Sequence, residues 1–174
     1  MLSPKMQAAL NDQINRELWS GYIYLSMAAY FEERNLAGAA HWMHAQFKEE
    51  LFHMMKLYNF VVERGGRVLL QPVDAVETEW ESALDAFAYG YNHETLVTAS
   101  INSLVDLAVE EKDHATNSFL NWYVDEQVEE ESSFDGVVQQ LKLAGDGGGL
   151  FMVDKELGQR VELFTLPMGE AEGG

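Results

Sequence analysis

The sequence has no cysteine, so neither a disulfide framework nor a thiolate metal site can be built from it. Basic residues are few: 11 Lys and Arg stand against 29 Asp and Glu, a formal net charge of -18. Nucleic acid and anionic membranes are poor partners for such a surface, whereas cations are good ones. Long apolar runs are missing too. Nothing approaches the roughly 18 residues of a membrane span, and Met1-Leu2-Ser3-Pro4-Lys5 lacks the layout of a signal peptide, so a cytoplasmic location is expected. What remains is 174 residues with 47% apolar content, enough for one globular domain with a continuous core.

The informative pattern is a repeated spacing. Glu17 is followed 33 residues later by Glu50-x-x-His53, and Glu94 is followed 33 residues later by Gln127-x-x-Glu130. Each half reads as two antiparallel helices, the first giving one carboxylate and the second giving two polar groups at i and i+3, stacked on one face. The apolar periodicity agrees. Ser3-Pro4 is a helix start, and Leu10, Ile14, Glu17, Gly21, Tyr24, Ala28 and Phe31 recur at steps of three and four. A break near 35–38 leads to Met43, Gln46, Glu50, His53, Leu57 and Phe60, which stops at Gly65-Gly66. Residues 67–82 lose the period, and about 16 extended residues span roughly 50 Å, enough to return along a whole helix. The second and third helices are therefore expected to be parallel. The third stripe is Phe87, Tyr91, Glu94, Thr98, Ile101, Val105 and Ala108; the fourth is Thr116, Leu120, Tyr123, Gln127, Glu130, Phe134, Val137 and Leu141. After the glycine-rich break at 145–149, residues 150–161 are expected to form a short fifth helix. The fold class is all-α: a four-helix bundle with one long crossover and a short terminal helix.

Buried carboxylates decide what the bundle holds. An ionised carboxylate taken out of water costs several kcal/mol even after relaxation, and these stripes carry four: Glu17, Glu50, Glu94 and Glu130. No Lys or Arg lies on the four stripes to pair with them. Two divalent cations would balance the charge, with His53 adding a neutral nitrogen. Hard oxygens with one imidazole suit iron or manganese better than copper, and would take zinc.

The segments Glu17-Leu-Trp-Ser-Gly-Tyr-Ile-Tyr24, Lys48-Glu49-Glu50-Leu-Phe-His53, His93-Glu94, Asn121-Trp122-Tyr123 and Glu126-Gln127-Val-Glu129-Glu130 together resemble the bacterial non-haem ferritins over residues 1–161. The resemblance implies a ferritin-like domain over 1–161; the Gly- and Glu-rich composition beyond it reads 162–174 as a flexible tail. The resemblance also implies one iron held by Glu17, Glu50 and His53 and a second by Glu50, Glu94 and Glu130, with Glu50 bridging. Gln127 would contact the site, Tyr24 and Trp122 would be its aromatic neighbours, and Glu49, Glu126 and Glu129 match the ligands of a third iron. Bacterioferritins, by contrast, have a second Glu-x-x-His where this chain has Gln127-x-x-Glu130, and a haem-ligating Met where it has Leu51, so haem is not expected. Rubrerythrins of the rubredoxin-bearing type need cysteines that are absent here.

The activity so implied is that of an iron-storage ferroxidase, oxidising Fe(II) with O2 or H2O2 and keeping the ferric product in a hollow 24-chain shell. Its alternative is a discrete di-iron oxidase or peroxide-detoxifying enzyme without a store. A shell would also use the aromatic and apolar residues off the inner stripes, Trp19, Tyr22, Ile23, Tyr30, Trp42 and Trp80, although packing against the crossover accounts for them equally well. His41, His44, His93 and His114 are read as solvated or interfacial, and the eight Met as core filler. The oxidant, the route of iron entry and the reductant for its release are not written in the sequence.

Overall fold

A computed structural model of the chain describes residues 1–145 and 147–164. It is all-helical, with α1 Pro4–Glu33, α2 Ala37–Glu63, α3 Ala83–Glu110, α4 His114–Ala144 and α5 Gly148–Leu157. Local chemistry sets the boundaries. Ser3 caps α1 by accepting from the Met6 amide at 2.9 Å, with Pro4 in the first turn where its missing N–H costs nothing. Asn35 at φ 58° turns the chain into α2, and Gly65 at φ 73° ends it. Ser82 and Asp113 cap α3 and α4 through Asp85 and Thr116.

Lys5 meets Glu110, Ser20 meets His93, and the Tyr30 hydroxyl donates to the Trp80 carbonyl, so α1 runs antiparallel to α3 along its length. Since α1 and α2 form one hairpin and α3 and α4 another, α2 and α3 are parallel, as the long crossover requires. The hairpins approach closely between α1 and α3; α2 and α4 have no Cα atoms within 8 Å of each other. Side chains fill that wider gap.

The core is two apolar clusters rather than one. Toward the α1–α2 turn are Tyr24, Met27, Phe31, Met43, Phe87 and Phe134; toward the other end are Leu10, Ile14, Leu57, Phe60, Ile101 and Leu120. The polar residues of the four stripes occupy the layer between them.

The structure revises the α3 stripe and the bounds of the fifth helix. The buried face of α3 includes Gly90, Val97 and Leu104, while Tyr91, Thr98 and Val105 are only half-buried, because α3 packs on α1 as well as α4. The fifth helix begins two residues earlier than expected and ends at Leu157, four before residue 161. Gly149 is inside it because a Cβ there would lie 2.0 Å from the Ala144 carbonyl oxygen. Of the off-stripe aromatic and apolar residues, Ile23, Tyr30, Trp42 and Trp80 are buried within this chain and Trp19 is half-buried, leaving Tyr22, 49% exposed, the most open. Residues 162–164 of the expected tail lie against α2, where Lys48 donates to Glu162 and Phe164 stacks on Phe52; the rest of it, 165–174, is outside the described residues.

Two tests follow from this packing. A Cβ at Gly90 would sit 2.3 Å from the Phe134 ring, so Gly90→Ala is expected to lower stability by about 1–3 kcal/mol, measured by chemical denaturation. The second concerns Asp113, which accepts from Arg64 at 3.0 Å and from Thr116. Burial works against its charge, but these donors outweigh that and hold the carboxyl at about 2 instead of 3.8. Below pH 4 the unfolded chain binds this proton before the folded one does, so the stabilisation is present above the ordinary aspartate range and is lost toward pH 2. Wild type should exceed Asp113→Asn in stability at neutral pH and lose that advantage as the pH falls from about 4 to about 2; a constant difference would contradict the ion pair's role.

Candidate metal centre

Four helices each send polar side chains into the layer between the apolar clusters. Glu17 comes from α1, Glu50 and His53 from α2, Glu94 from α3, and Gln127 and Glu130 from α4; each is at most 5% exposed. The i,i+3 pairs on α2 and α4 put both members on the inner face, one turn apart. Their mutual geometry is specific. Ligand atoms of Glu17, Glu50 and His53 lie within 4.8 Å of one another, and so do those of His53, Glu126 and Glu130. His53 belongs to both groups, with Nδ1 3.5 Å from Glu50 and Nε2 3.9 Å from Glu126.

Glu94 is placed differently. It is in neither group; the Tyr24 hydroxyl donates to one of its oxygens and the Gln127 amide to the other at 3.1 Å. Gln127 also reaches the Thr98 hydroxyl at 3.3 Å. On the opposite wall Gln46 donates to Glu130 at 2.7 Å and to Glu50 at 3.3 Å, and Gln13 donates to Glu17 at 2.9 Å. Outer donors therefore orient every inner carboxylate. Trp122 packs edge-on against His53 with ring centroids 5.4 Å apart, closing the imidazole on its outer side.

Burial disfavours the charged form of every inner carboxylate. Burial, reinforced by repulsion from Glu50, holds Glu17 well above the usual carboxylate range. Glu50 is raised by burial and by Glu94, and Glu130 by burial, Glu94 and Glu50. Burial also raises Glu94, against the opposing hydrogen bonds from Tyr24 and Gln127. Tyr24 is itself pushed up by burial and by Glu94, so it stays a phenol and a donor. Two atoms of this layer, Glu17 Oε2 and His53 Nε2, are buried with no hydrogen-bond partner. Polar atoms left without a partner in a dry interior are costly.

The residues matched to a third ion sit just outside. Glu49, Glu126 and Glu129 line a cavity of about 200 Å3 together with Glu130 and Arg160. Glu129 is exposed and Glu126 half-buried, while Glu49 is buried. Arg160 is the functional residue that the sequence reading missed. Inspection of the helical stripes finds no basic residue, but this guanidinium arrives from beyond α5 and donates to Glu49 and to Gln46. No periodic signal marks it. The off-stripe histidines are engaged elsewhere: His44 with Glu32, His41 with the Arg160 carbonyl, and His93 with Ser20. His93 is held neutral, at about 4, by burial and by Arg16. His114 is exposed.

Comparison with known proteins agrees with this geometry. The ferritin-like domain family matches residues 7–144. The bacterial non-heme ferritin of Bacteroides fragilis (strain 638R) is 44% identical over 160 residues, covering 92% of this chain and 100% of the relative. That of Staphylococcus aureus (strain USA300) is 40% identical over 161 residues, covering 92% and 97%. Among solved structures, an open-pore ferritin from the hyperthermophilic archaeon Archaeoglobus fulgidus superposes with a TM-score of 0.91 at 51% identity, covering 92% of this chain and 100% of that one. An engineered closed form of the A. fulgidus ferritin gives 0.92 at 51% identity, covering 95% and 100%. The chain therefore belongs to the ferritin-like family.

Proposed function

We propose that this iron-storage ferroxidase takes up two Fe(II) ions per chain as substrate, between Glu17, Glu50, His53, Glu94 and Glu130, with Glu50 shared between them. The observation that carries the reading is the convergence of Glu17, Glu50 and His53, whose ligand atoms lie within 4.8 Å of one another with Glu17 Oε2 left without a hydrogen bond, among carboxylates that burial and mutual repulsion destabilise as anions. Two Fe(II) ions supply four positive charges to four carboxylates. The protons held by the metal-free site leave as the metals enter.

Oxidation then removes one electron from each iron. O2 accepts the two electrons with two protons to give H2O2, or H2O2 accepts them with two protons to give two waters. The protein contributes position, as in other two-metal sites where the ions sit about 3.5–4 Å apart. Gln127 and Tyr24 hold Glu94 in place, and Trp122 limits access of water to His53. The charge rises by two, which makes bound water acidic; loss of its protons leaves hydroxide on Fe(III), offsets the added charge and lets the hydrolysed ion depart. Glu49, Glu126 and Glu129 form the next station, where a third ion pauses.

The store is a homo-oligomeric shell, with 24 chains as the proposed number and the cytoplasm as its proposed compartment. Apolar side chains on the outside of a single chain support the assembly: Leu70 is 67% and Leu96 68% exposed. The A. fulgidus relative is described as an open-pore ferritin, and a pore belongs to an enclosed assembly.

Glu50→Ala is expected to slow Fe(II) oxidation in stopped-flow absorbance by more than about 100-fold with the helical content retained, since even outer partners of a metal ligand are worth 10- to 100-fold. Tyr24→Phe, which removes only the donor to Glu94, should cost about tenfold. Undiminished rates in Glu50→Ala would remove its bridging role. For storage, aerobic Fe(II) loading followed by size-exclusion chromatography should put iron far above three per chain in a very large particle. Saturation at two or three per chain would make this a di-iron oxidase without a store.

A further inference from the structure

The segment after α5 turns back over the outer mouth of the metal centre and is pinned on α2 along its length. His41 Nε2 lies 2.9 Å from the Arg160 carbonyl, Lys48 donates to Glu162 at 2.6 Å, and Phe164 stacks on Phe52 with centroids 4.1 Å apart. Within this strap the Arg160 guanidinium lies 4.1 Å over the Trp42 ring, which fixes its plane. One nitrogen donates to Gln46 Oε1 at 2.9 Å, and the other donates to Glu49 Oε2. The first contact settles which way the Gln46 amide faces: its NH2 is left for Glu130 and Glu50. The second puts a fixed positive charge on the wall of the cavity formed by Glu49, Glu126, Glu129 and Glu130.

We infer that Arg160 is a built-in counter-cation for Glu49, and that a third metal ion binds at Glu49, Glu126 and Glu129 only by displacing the guanidinium from Glu49. The inference rests on the proposed third station and goes beyond it by giving that station a competitor carried by the chain. Because Arg160 donates to Glu49 Oε2, the carboxylate already has a cationic partner while no metal is present. A divalent ion arriving beside the guanidinium meets both its charge and its occupation of Oε2. The third site is therefore made weaker than the inner pair by design of the strap, and an ion resting there can leave again. The Lys48–Glu162 ion pair and the Phe164–Phe52 stack hold the strap, so the guanidinium can leave Glu49 without the segment undocking.

The test uses Zn(II), which has the same charge and no redox chemistry, titrated calorimetrically into the assembled protein. Wild type should bind two ions per chain tightly and a third weakly. Arg160→Gln should tighten the third site by about tenfold or more, a usual size for coupling between sites. Arg160→Lys, which keeps the charge, should stay close to wild type, and combining Arg160→Gln with Glu49→Gln should erase the gain. A third affinity unchanged or weakened in Arg160→Gln would overturn the inference, as would a gain that survives in the double variant or appears equally in Arg160→Lys, either of which marks mere loosening of the strap. Two tight ions and no third in any variant would overturn the third station and this inference while leaving the inner pair intact. Fewer than two in wild type would overturn the two-metal reading as well.

Discussion

Everything in this fold is arranged around the cost of keeping carboxylates out of water. Four acidic side chains and an imidazole occupy a dry layer in the middle of a helical bundle, where each anion is destabilised by several kcal/mol unless compensated. The bundle does not dilute that cost with internal lysines or arginines. It concentrates it at one level, between two apolar clusters that supply the stability, and leaves lone pairs aimed at one another. A preorganised layer of carboxylates short of positive charge suits a divalent cation.

The helical framework makes that layer possible by being unequal. Close packing of α1 against α2, of α3 against α4 and of α1 against α3 locks the two hairpins together, whereas α2 and α4 stand further apart. The wider seam is where His53, Glu130, Gln46 and Glu126 meet, and where the site opens to the outer cavity. Amide side chains do the fine positioning. Gln13, Gln46 and Gln127 each donate to a carboxylate without adding charge, so they fix orientation and leave the deficit of positive charge intact.

The inner residues were readable because a helix converts spacing into direction. Once Glu17, Glu50, His53, Glu94, Gln127 and Glu130 fell on apolar stripes, their convergence needed only the bundle. What spacing could not give was the rotation of each helix about its axis. That rotation buries Gly90 and Val97 in place of Tyr91 and Thr98, and lets the Tyr24 hydroxyl find Glu94 instead of facing an open site. Arg160 was illegible for a further reason. Its position depends on α5 seating against α2 at Gly38, where a Cβ would overlap the Asp154 carbonyl oxygen at 1.7 Å, and a contact between segments 116 residues apart leaves no periodic trace. Gly149 misled the reading of the α5 boundary for a like cause, since it serves close approach to the Ala144 carbonyl and not a break in the helix.

His53 stands between the inner cluster and the outer one, with a nitrogen toward each. A neutral imidazole has one lone pair and one N–H. When Nδ1 gives its lone pair to an ion beside Glu50, Nε2 carries the proton and becomes a donor toward Glu126. The same ring thus ceases to be available as a ligand on its far side. The one ring would therefore serve the inner group or the outer one, never both: an ion held at Nδ1 would leave Glu126 and Glu130 as an all-oxygen pair on the far side.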